Sequence, residues 1–149
     1  MAIVVKMPAS EMPVKPKDID LDFFNKNIFD TSKEDEITFL GDKPCMIKFY
    51  TNWWGPCRTL TPILDELAND YKGKVDFYKV DIEKHSDMAS LFGVMSVPTI
   101  VMMSENTKPT QIPGAPHKDS MSEIIDRFLE TDKNDIRDIR IEQEDDGEI

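Results

Sequence analysis

One cysteine stands where redox chemistry would be expected, but the sulfur it would work with is missing. Cys57 follows Gly55-Pro56, just before an apolar pattern of helical spacing. A helix N-terminus stabilises a thiolate, because its unpaired N–H groups and its dipole attract negative charge. Disulfide exchange by two thiols needs a second sulfur within one turn, and the position three residues before Cys57 holds Trp54. An indole has no nucleophilic lone pair at neutral pH, so we expect a two-thiol cycle to be blocked at its first step.

The second thiol and the two histidines lie far from Cys57 in sequence. Cys45 is near the start of an apolar stretch whose far end leads towards Cys57. Five or so strand residues at about 3.3 Å each would separate the two thiols by roughly 15–20 Å, whereas a disulfide needs Cα atoms within about 7 Å of each other. We therefore expect Cys45 to be a buried core thiol. Together with His85 and His117, the two cysteines make four possible metal ligands, which are scattered over positions 45–117. We therefore expect no metal and no cofactor.

Five segments have the character of β-strands. Residues 44–50 form an almost continuous apolar run, which is typical of a central strand covered on both faces. Shorter or alternating patterns predict four more strands, at 17–21, 74–82, 97–103 and 109–114.

Four segments repeat their apolar residues with helical spacing. They are residues 23–29, 55–73, 86–93 and 121–129. Asp22 is the predicted N-cap of the first helix and Ser86 that of the third, which Gly93 should end. Residues 31–43 are predicted to be a polar connection with one apolar patch.

The order of these elements is β-α-β-α-β followed by β-β-α. The first half favours parallel strands joined by crossover helices, and the second favours a hairpin with a covering helix. The predicted fold class is α/β, with a central mixed β-sheet flanked by helices on both faces. Residues 1–17, which include three prolines, are predicted to form an extended arm, residues 18–131 the folded domain, and residues 132–149 an acidic, flexible tail.

Charge and hydropathy narrow the classes of partner. The net charge is −11, and residues 131–149 alone hold eight acids and three bases. Nucleic acid is an unexpected partner, because no basic patch is present to neutralise phosphates. No apolar run approaches the roughly 18 residues that a membrane span requires. We expect a monomer in the cytoplasm, or in the periplasm or outside the cell if a leader has been removed.

Three stretches of sequence resemble the thioredoxin family, over residues 20–130. The stretch "KFYTNWWGPCRTLTPILDELANDYKGKVDFYKVDIEK" is similar to the family's central strand, active-site loop and following helix and strand. "FGVMSVPTIVMM" resembles its segment ending in a cis-proline, and "PGAPHKDSMSEIIDRFL" its closing turn and C-terminal helix. The resemblance implies the thioredoxin fold, a cis Val97-Pro98 bond and protein or peptide thiols and disulfides as partners. An active member would also need a reductase as electron donor.

Two positions depart from the family's pattern. The family's nucleophilic cysteine is Trp54 here, and its buried acid is Lys48. Lys79 corresponds to the lysine that usually partners that acid. We expect Lys48 to carry its amine to the rim of the loop or to pair with an acid. Because two facing lysines would repel, one of the two should turn to an acid such as Asp81 or Glu83.

The resemblance also implies a peptide groove around Cys57. Its predicted residues are Trp53, Trp54, Gly55, Pro56, Val97, Pro98 and Gly114, modulated from below by Lys48 and Lys79. Trp54 should be exposed, whereas Trp53 fits either core packing or a contact surface. Three functions follow: an oxidoreductase disabled by Trp54, a non-catalytic module that binds peptides by strand addition, or a monothiol enzyme in which Cys57 is exposed and activated.

Overall fold

A computed structural model describes residues 14–33 and 36–133 of the chain. The helices are α1 (Leu21–Asn27), α2 (Gly55–Asp70), α3 (Ser86–Phe92) and α4 (Lys118–Lys133). The strands are β1 (Lys17–Asp18), β2 (Phe29–Lys33), β3 (Glu36–Phe39), β4 (Cys45–Tyr50), β5 (Asp76–Asp81), β6 (Thr99–Met103) and β7 (Thr110–Pro113).

Five strands form one sheet in the order β1-β5-β4-β6-β7. β1, β5 and β4 run parallel, whereas β6 and β7 are antiparallel to their neighbours. The parallel half is joined through crossover helices, and β6 and β7 follow each other as a hairpin. The mixed sheet and its order of elements agree with the sequence-based prediction.

The central strand β4 is buried along its whole length and separates two apolar clusters. On one face, Met46 packs with side chains of α2 and α4, including Leu64 and Ile125. On the other face, Ile47 and Phe49 pack with α1 and α3. Because successive strand residues point to opposite faces, one strand contributes to both layers. The helices therefore flank both faces of the sheet, as predicted.

Three local predictions were wrong. The stretch predicted as a connection contains the antiparallel hairpin β2–β3, which forms a separate two-stranded sheet. Asp20, not Asp22, caps α1, because its carboxylate accepts the backbone N–H of Phe23 at 2.8 Å. Asp22 lies inside the helix and pairs with Lys26 one turn later. The N-cap of α3 is the residue before Ser86, while Gly93 ends that helix in the left-handed conformation, as predicted.

The predicted arm and tail lie mostly outside the described residues. Where the description begins, Val14 packs against the α2 and α4 cluster and its backbone N–H donates to Asn69 Oδ1 at 3.3 Å. At the other end, α4 continues to Lys133, two residues beyond the predicted limit of the domain at position 131. Within the described ranges, no helix is both long and apolar enough to span a membrane.

Candidate functional site

Strand register brings three separated segments to one end of the sheet. Phe49, next to the last residue of β4, pairs with Thr99 at the start of β6, and Thr99 pairs with Pro113 at the end of β7. Neighbouring strands lie about 4.8 Å apart. The loop after β4, the segment before β6 and the turn after β7 therefore meet at this edge, as the groove prediction requires.

The turn that leads from β4 into α2 places Trp54 and Cys57 in different environments. Trp54 is the N-cap residue, with extended backbone angles, and its carbonyl accepts the N–H of Arg58 at 3.1 Å. Gly55 and Pro56 are the first two helical residues and both are exposed. Cys57 is the third and is only 1% exposed. The sulfur of this loop therefore lies beneath the surface, and an indole occupies the surface position before it.

The two tryptophans form an exposed aromatic pair. Trp53 is 65% exposed and Trp54 43%. Their ring centroids are 5.9 Å apart with an interplanar angle of 69°, an edge-to-face arrangement. The indole N–H of Trp53 donates to the carboxylate of Glu83, which follows β5. Of the two alternatives left open for Trp53, the structure has the surface position.

The segment before β6 faces this loop with a cis peptide bond between Val97 and Pro98, as predicted. The carbonyl of Pro98 accepts the backbone N–H of Gly114 at 2.9 Å, which joins the start of β6 to the turn after β7. Gly114 has φ of 86°, a left-handed conformation that favours glycine. Met95, in the same segment, is 95% exposed and adds apolar surface that no sequence pattern predicted.

Lys48 lies inside the protein, not at the rim of the loop as one alternative predicted. It is 3% exposed and its Nζ donates to Thr61 Oγ1 at 3.1 Å. The Thr61 hydroxyl donates in turn to the carbonyl of Cys57 at 3.2 Å. The Nζ also lies 4.7 Å from the centroid of the Tyr50 ring. Since α2 covers β4, the Lys48 amine does not reach solvent and donates a hydrogen bond to the Thr61 hydroxyl instead.

Lys79 turns to an acid, as predicted, but to a different one. Its Nζ lies 3.7 Å from Asp18 Oδ2, because β1 pairs with β5 and places Asp18 directly opposite Lys79. Asp81 is already bound to the backbone N–H of Glu83 at 3.0 Å and to the Asn52 amide at 3.4 Å. Asp18 also accepts the Tyr50 hydroxyl at 3.0 Å. The sequence prediction missed Asp18 because the short strand β1 carried no clear signal of its pairing.

The buried amine of Lys48 has a second lysine beside it, on the neighbouring strand. Lys48 and Lys79 are directly paired across β4 and β5. Burial lowers the pKa of Lys48, and the positive charge of Lys79 lowers that pKa further. The thiol of Cys57 and the carboxylates of Asp65 and Asp18 act in the opposite direction. The ionisable side chain near the Cys57 thiol is thus an amine. A carboxylate would be the group suited to accept a proton from that thiol.

Cys45 lies at the opposite end of β4 and does not take part in the site. Both thiols are free and buried. Burial raises the pKa of Cys45, and the nearby Asp76 carboxylate raises it further. The expectation of a buried core thiol is confirmed. In the part of the chain that the structure describes, no three His, Cys, Asp or Glu side chains are placed to hold a metal ion.

A family model, related sequences and a solved structure are similar to this chain. A family model described as thioredoxin matches residues 24–127. The chain is 42% identical to a thioredoxin of Borreliella burgdorferi over 106 residues, which is 71% of this chain and 91% of that protein. It is 33% identical to a chloroplastic M-type thioredoxin of Triticum aestivum over 102 residues, 68% of this chain and 58% of that one.

A solved structure, that of a chloroplastic thioredoxin z described as defining a type-specific target recognition, superimposes with a TM-score of 0.64. Its sequence identity is 22%, and the match covers 80% of this chain and 98% of the other. At this identity the likeness concerns the fold alone, and it agrees with the mixed sheet and flanking helices described above.

Proposed function

This chain belongs to the thioredoxin family, and from that premise we propose that it is a thioredoxin-like protein in which Trp54 stops thiol–disulfide exchange at the first step. One observation carries the proposal. The residue at the N-cap of α2, where the family's nucleophilic cysteine lies, is an indole, and the thiol three residues later is 1% exposed.

The missing step can be stated in chemical terms. In a two-thiol cycle, an exposed thiolate attacks one sulfur of a substrate disulfide, forms a mixed disulfide and releases the other sulfur as a thiolate. The second thiol then loses its proton and attacks the mixed disulfide, which forms an internal disulfide and releases the remaining substrate sulfur as a thiolate. Cys57 has the position of that second thiol. Without a sulfur at position 54, no mixed disulfide forms for Cys57 to resolve.

The proton balance is altered as well. The family's second step removes the proton of the buried thiol, and a carboxylate can accept it. Here the side chain in that position is the Lys48 amine, which is bound to Thr61. Burial lowers its pKa, but an amine that is still protonated cannot take up another proton. Restoring the lost sulfur should therefore restore exchange only in part.

Reversion of one residue tests the proposal. The Trp54→Cys variant should reduce insulin disulfides with dithiothreitol as donor, while the original protein and a Trp54→Ser variant stay at the uncatalysed rate. The serine variant is the matched control, since it removes the indole without adding a sulfur. Far-ultraviolet circular dichroism checks that each variant is folded. Catalytic turnover by the original protein would overturn the proposal.

A second substitution separates the two departures from the family pattern. Adding Lys48→Asp to Trp54→Cys should raise the rate of insulin reduction by about tenfold, which is below the range of 10²–10⁴ for fully positioned acids and bases. If the single revertant is folded and inert while the double variant is active, the buried amine accounts for the rest of the loss. If both are folded and inert, the scaffold has lost more than these two groups.

The second candidate function is a non-catalytic module that binds peptides. It is favoured by the exposed Trp53–Trp54 pair and the cis Val97-Pro98 bond at the same edge of the sheet, because an extended peptide could lie against this backbone and cover the rings. Its partners would be protein or peptide segments, including those with cysteines. The monothiol enzyme has less support, since Cys57 is 1% exposed and an attacking thiol must reach its substrate.

A further inference from the structure

We propose that Trp53, Trp54 and Glu83 form a subsite for a lysine or arginine side chain of a peptide bound in the groove. The inference rests on the peptide-binding function proposed above and deepens it by naming a class of peptide. We call these three residues the indole corner. It exists in this chain only because an indole has replaced a small thiol at position 54.

The geometry of the indole corner suits a cation. Two indole rings with centroids 5.9 Å apart and planes at 69° to each other present faces in two directions, and Trp53 is 65% and Trp54 43% exposed. A lysine or arginine is attracted when it lies within about 6 Å of a ring centroid, and tryptophan gives the strongest such attraction among aromatic residues. A peptide side chain can meet this condition without any movement of the protein backbone.

Glu83 adds charge and fixes one of the rings. Its Oε1 accepts the indole N–H of Trp53, so the ring is held by a charge-assisted hydrogen bond. The same carboxylate has a second oxygen, Oε2, that a bound cation can contact. An aromatic pair alone would accept any apolar side chain, whereas a pair joined to a carboxylate favours a side chain that is apolar along its stem and positive at its end.

The charge of the whole protein acts in the same sense. A net charge of −11 attracts basic segments over distances of about a Debye length, roughly 8–10 Å at physiological salt. Arg58, which is exposed on the first turn of α2, opposes this attraction locally. The preference for a cation must therefore come from the ring faces and from Glu83, and these are the groups that the experiment changes.

Three peptides that differ at one position provide the test. A fluorescein-labelled, cysteine-free peptide with one central lysine is titrated with the protein, and its anisotropy is recorded. The same peptide with norleucine keeps the hydrocarbon stem and lacks the charge, and a third has glutamate there. We expect the lysine peptide to bind about fivefold more tightly than the norleucine peptide, as an exposed cation–π contact implies, and the glutamate peptide to bind most weakly.

Two variants assign the preference to the indole corner. Glu83→Gln keeps an acceptor for the Trp53 indole but removes the charge, and it should lower the preference for lysine about threefold. Trp54→Ala should remove most of the preference for the lysine peptide. Glu66→Gln and Leu40→Ala are the matched controls: Glu66 is an exposed carboxylate paired with Lys118, and Leu40 is exposed to the same 43% as Trp54. Neither control should change the preference.

The outcomes separate this inference from the functions on which it rests. Equal binding of the lysine and norleucine peptides would overturn the indole corner while leaving a peptide-binding groove in place. A lysine preference that survives both Trp54→Ala and Glu83→Gln would overturn it too, because the cation would then bind elsewhere. No binding of any peptide would overturn both the inference and the peptide-binding function, but not the block at Trp54, which the insulin experiment tests alone.

Discussion

Cys45 at the start of β4 and Cys57 beyond its end are equally buried, with 1% exposure each, but the two thiols have different neighbours. Cys45, at the start of the strand, packs in the apolar cluster with Ile47 and Val80. Cys57, beyond the end of the strand, lies in the first turn of α2, close enough to Lys48 to influence the pKa of that amine. Burial alone therefore does not distinguish a structural thiol from one at a functional site. The side chains around each thiol distinguish the two.

The local architecture differs in the same way. The Cys45 end is held by regular strand pairing with β5 and β6 on both sides. At its other end, β4 is followed by a turn with two exposed indoles. The indole N–H of Trp53 joins this turn to Glu83, which follows β5. A region with exposed backbone and few apolar contacts opens more easily than a packed strand. We therefore expect local opening to expose the first turn of α2 more often than the start of β4.

Alkylation of the native protein should show the largest difference between the thiols. Iodoacetamide should label both far more slowly than in urea, by at least about 100-fold, because each must be exposed by opening of the structure. Cys57 should be labelled about tenfold faster than Cys45, since local opening of the first turn of α2 exposes only Cys57. Mass spectrometry of the digested protein measures both sites at once. Faster labelling of Cys45 would contradict the comparison.

Replacing each thiol by serine should separate their contributions to stability. Cys45→Ser buries a hydroxyl in an apolar cluster and should lower the free energy of unfolding by about 1–3 kcal/mol. Cys57→Ser should cost less than about 1 kcal/mol, because its surroundings are more polar: Thr61 donates to the carbonyl of Cys57, and the amine of Lys48 donates to Thr61. Urea unfolding at pH 7 measures both variants against the original protein. Equal losses would mean that the two environments do not differ in polarity as described.

Removing the buried amine should have a smaller effect that depends on pH. Lys48 has a folded-state pKa below its ordinary value of 10.5, so the unfolded chain binds its proton more tightly than the folded protein does. The loss of stability caused by burying the charged Lys48 amine is largest at pH values below its folded-state pKa. It decreases between that pKa and 10.5 and is absent above 10.5. Lys48→Met should therefore stabilise the protein by about 1 kcal/mol at pH 7, and the gain should shrink towards pH 10.5.

Urea unfolding of the original protein and of Lys48→Met at several pH values between 6 and 10 checks this, because the titration of other groups largely cancels in the difference. Lys26→Met is the control, since Lys26 is exposed and pairs with Asp22 on the surface of α1. A gain that grew with pH would contradict the stated direction of the pKa shift.

The main elements of the fold could be predicted because their signals are local. The apolar run at 44–50 and the helical spacing after Gly55 each depend on neighbouring residues, and β4 and α2 were found where these patterns are. The hairpin β2–β3 was missed, because its residues are mostly polar and its pairing depends on the partner strand. The cap of α1 was misplaced by two residues, since Asp20 and Asp22 carry the same side chain and only the backbone decides which one caps.

The meeting of the segments that form the candidate site was predictable, but several contacts within it were not. The sequence identified Trp54, Cys57 and Pro98, and strand register brings their segments together. It did not predict that Lys48 binds Thr61 or that Lys79 pairs with Asp18. The first contact depends on how α2 lies over β4, and the second on the pairing of a two-residue strand.

The sequence by itself determined that position 54 carries an indole and no sulfur, and that position 48 carries an amine and no carboxylate, because the identity of a side chain fixes whether it can act as a nucleophile or carry a negative charge. Only the tertiary structure decided which side chains are buried and which charges face each other, since these depend on strand register and helix packing. It buried Lys48 and Cys57 together, and it left Trp53 and Trp54 at the surface beside Glu83.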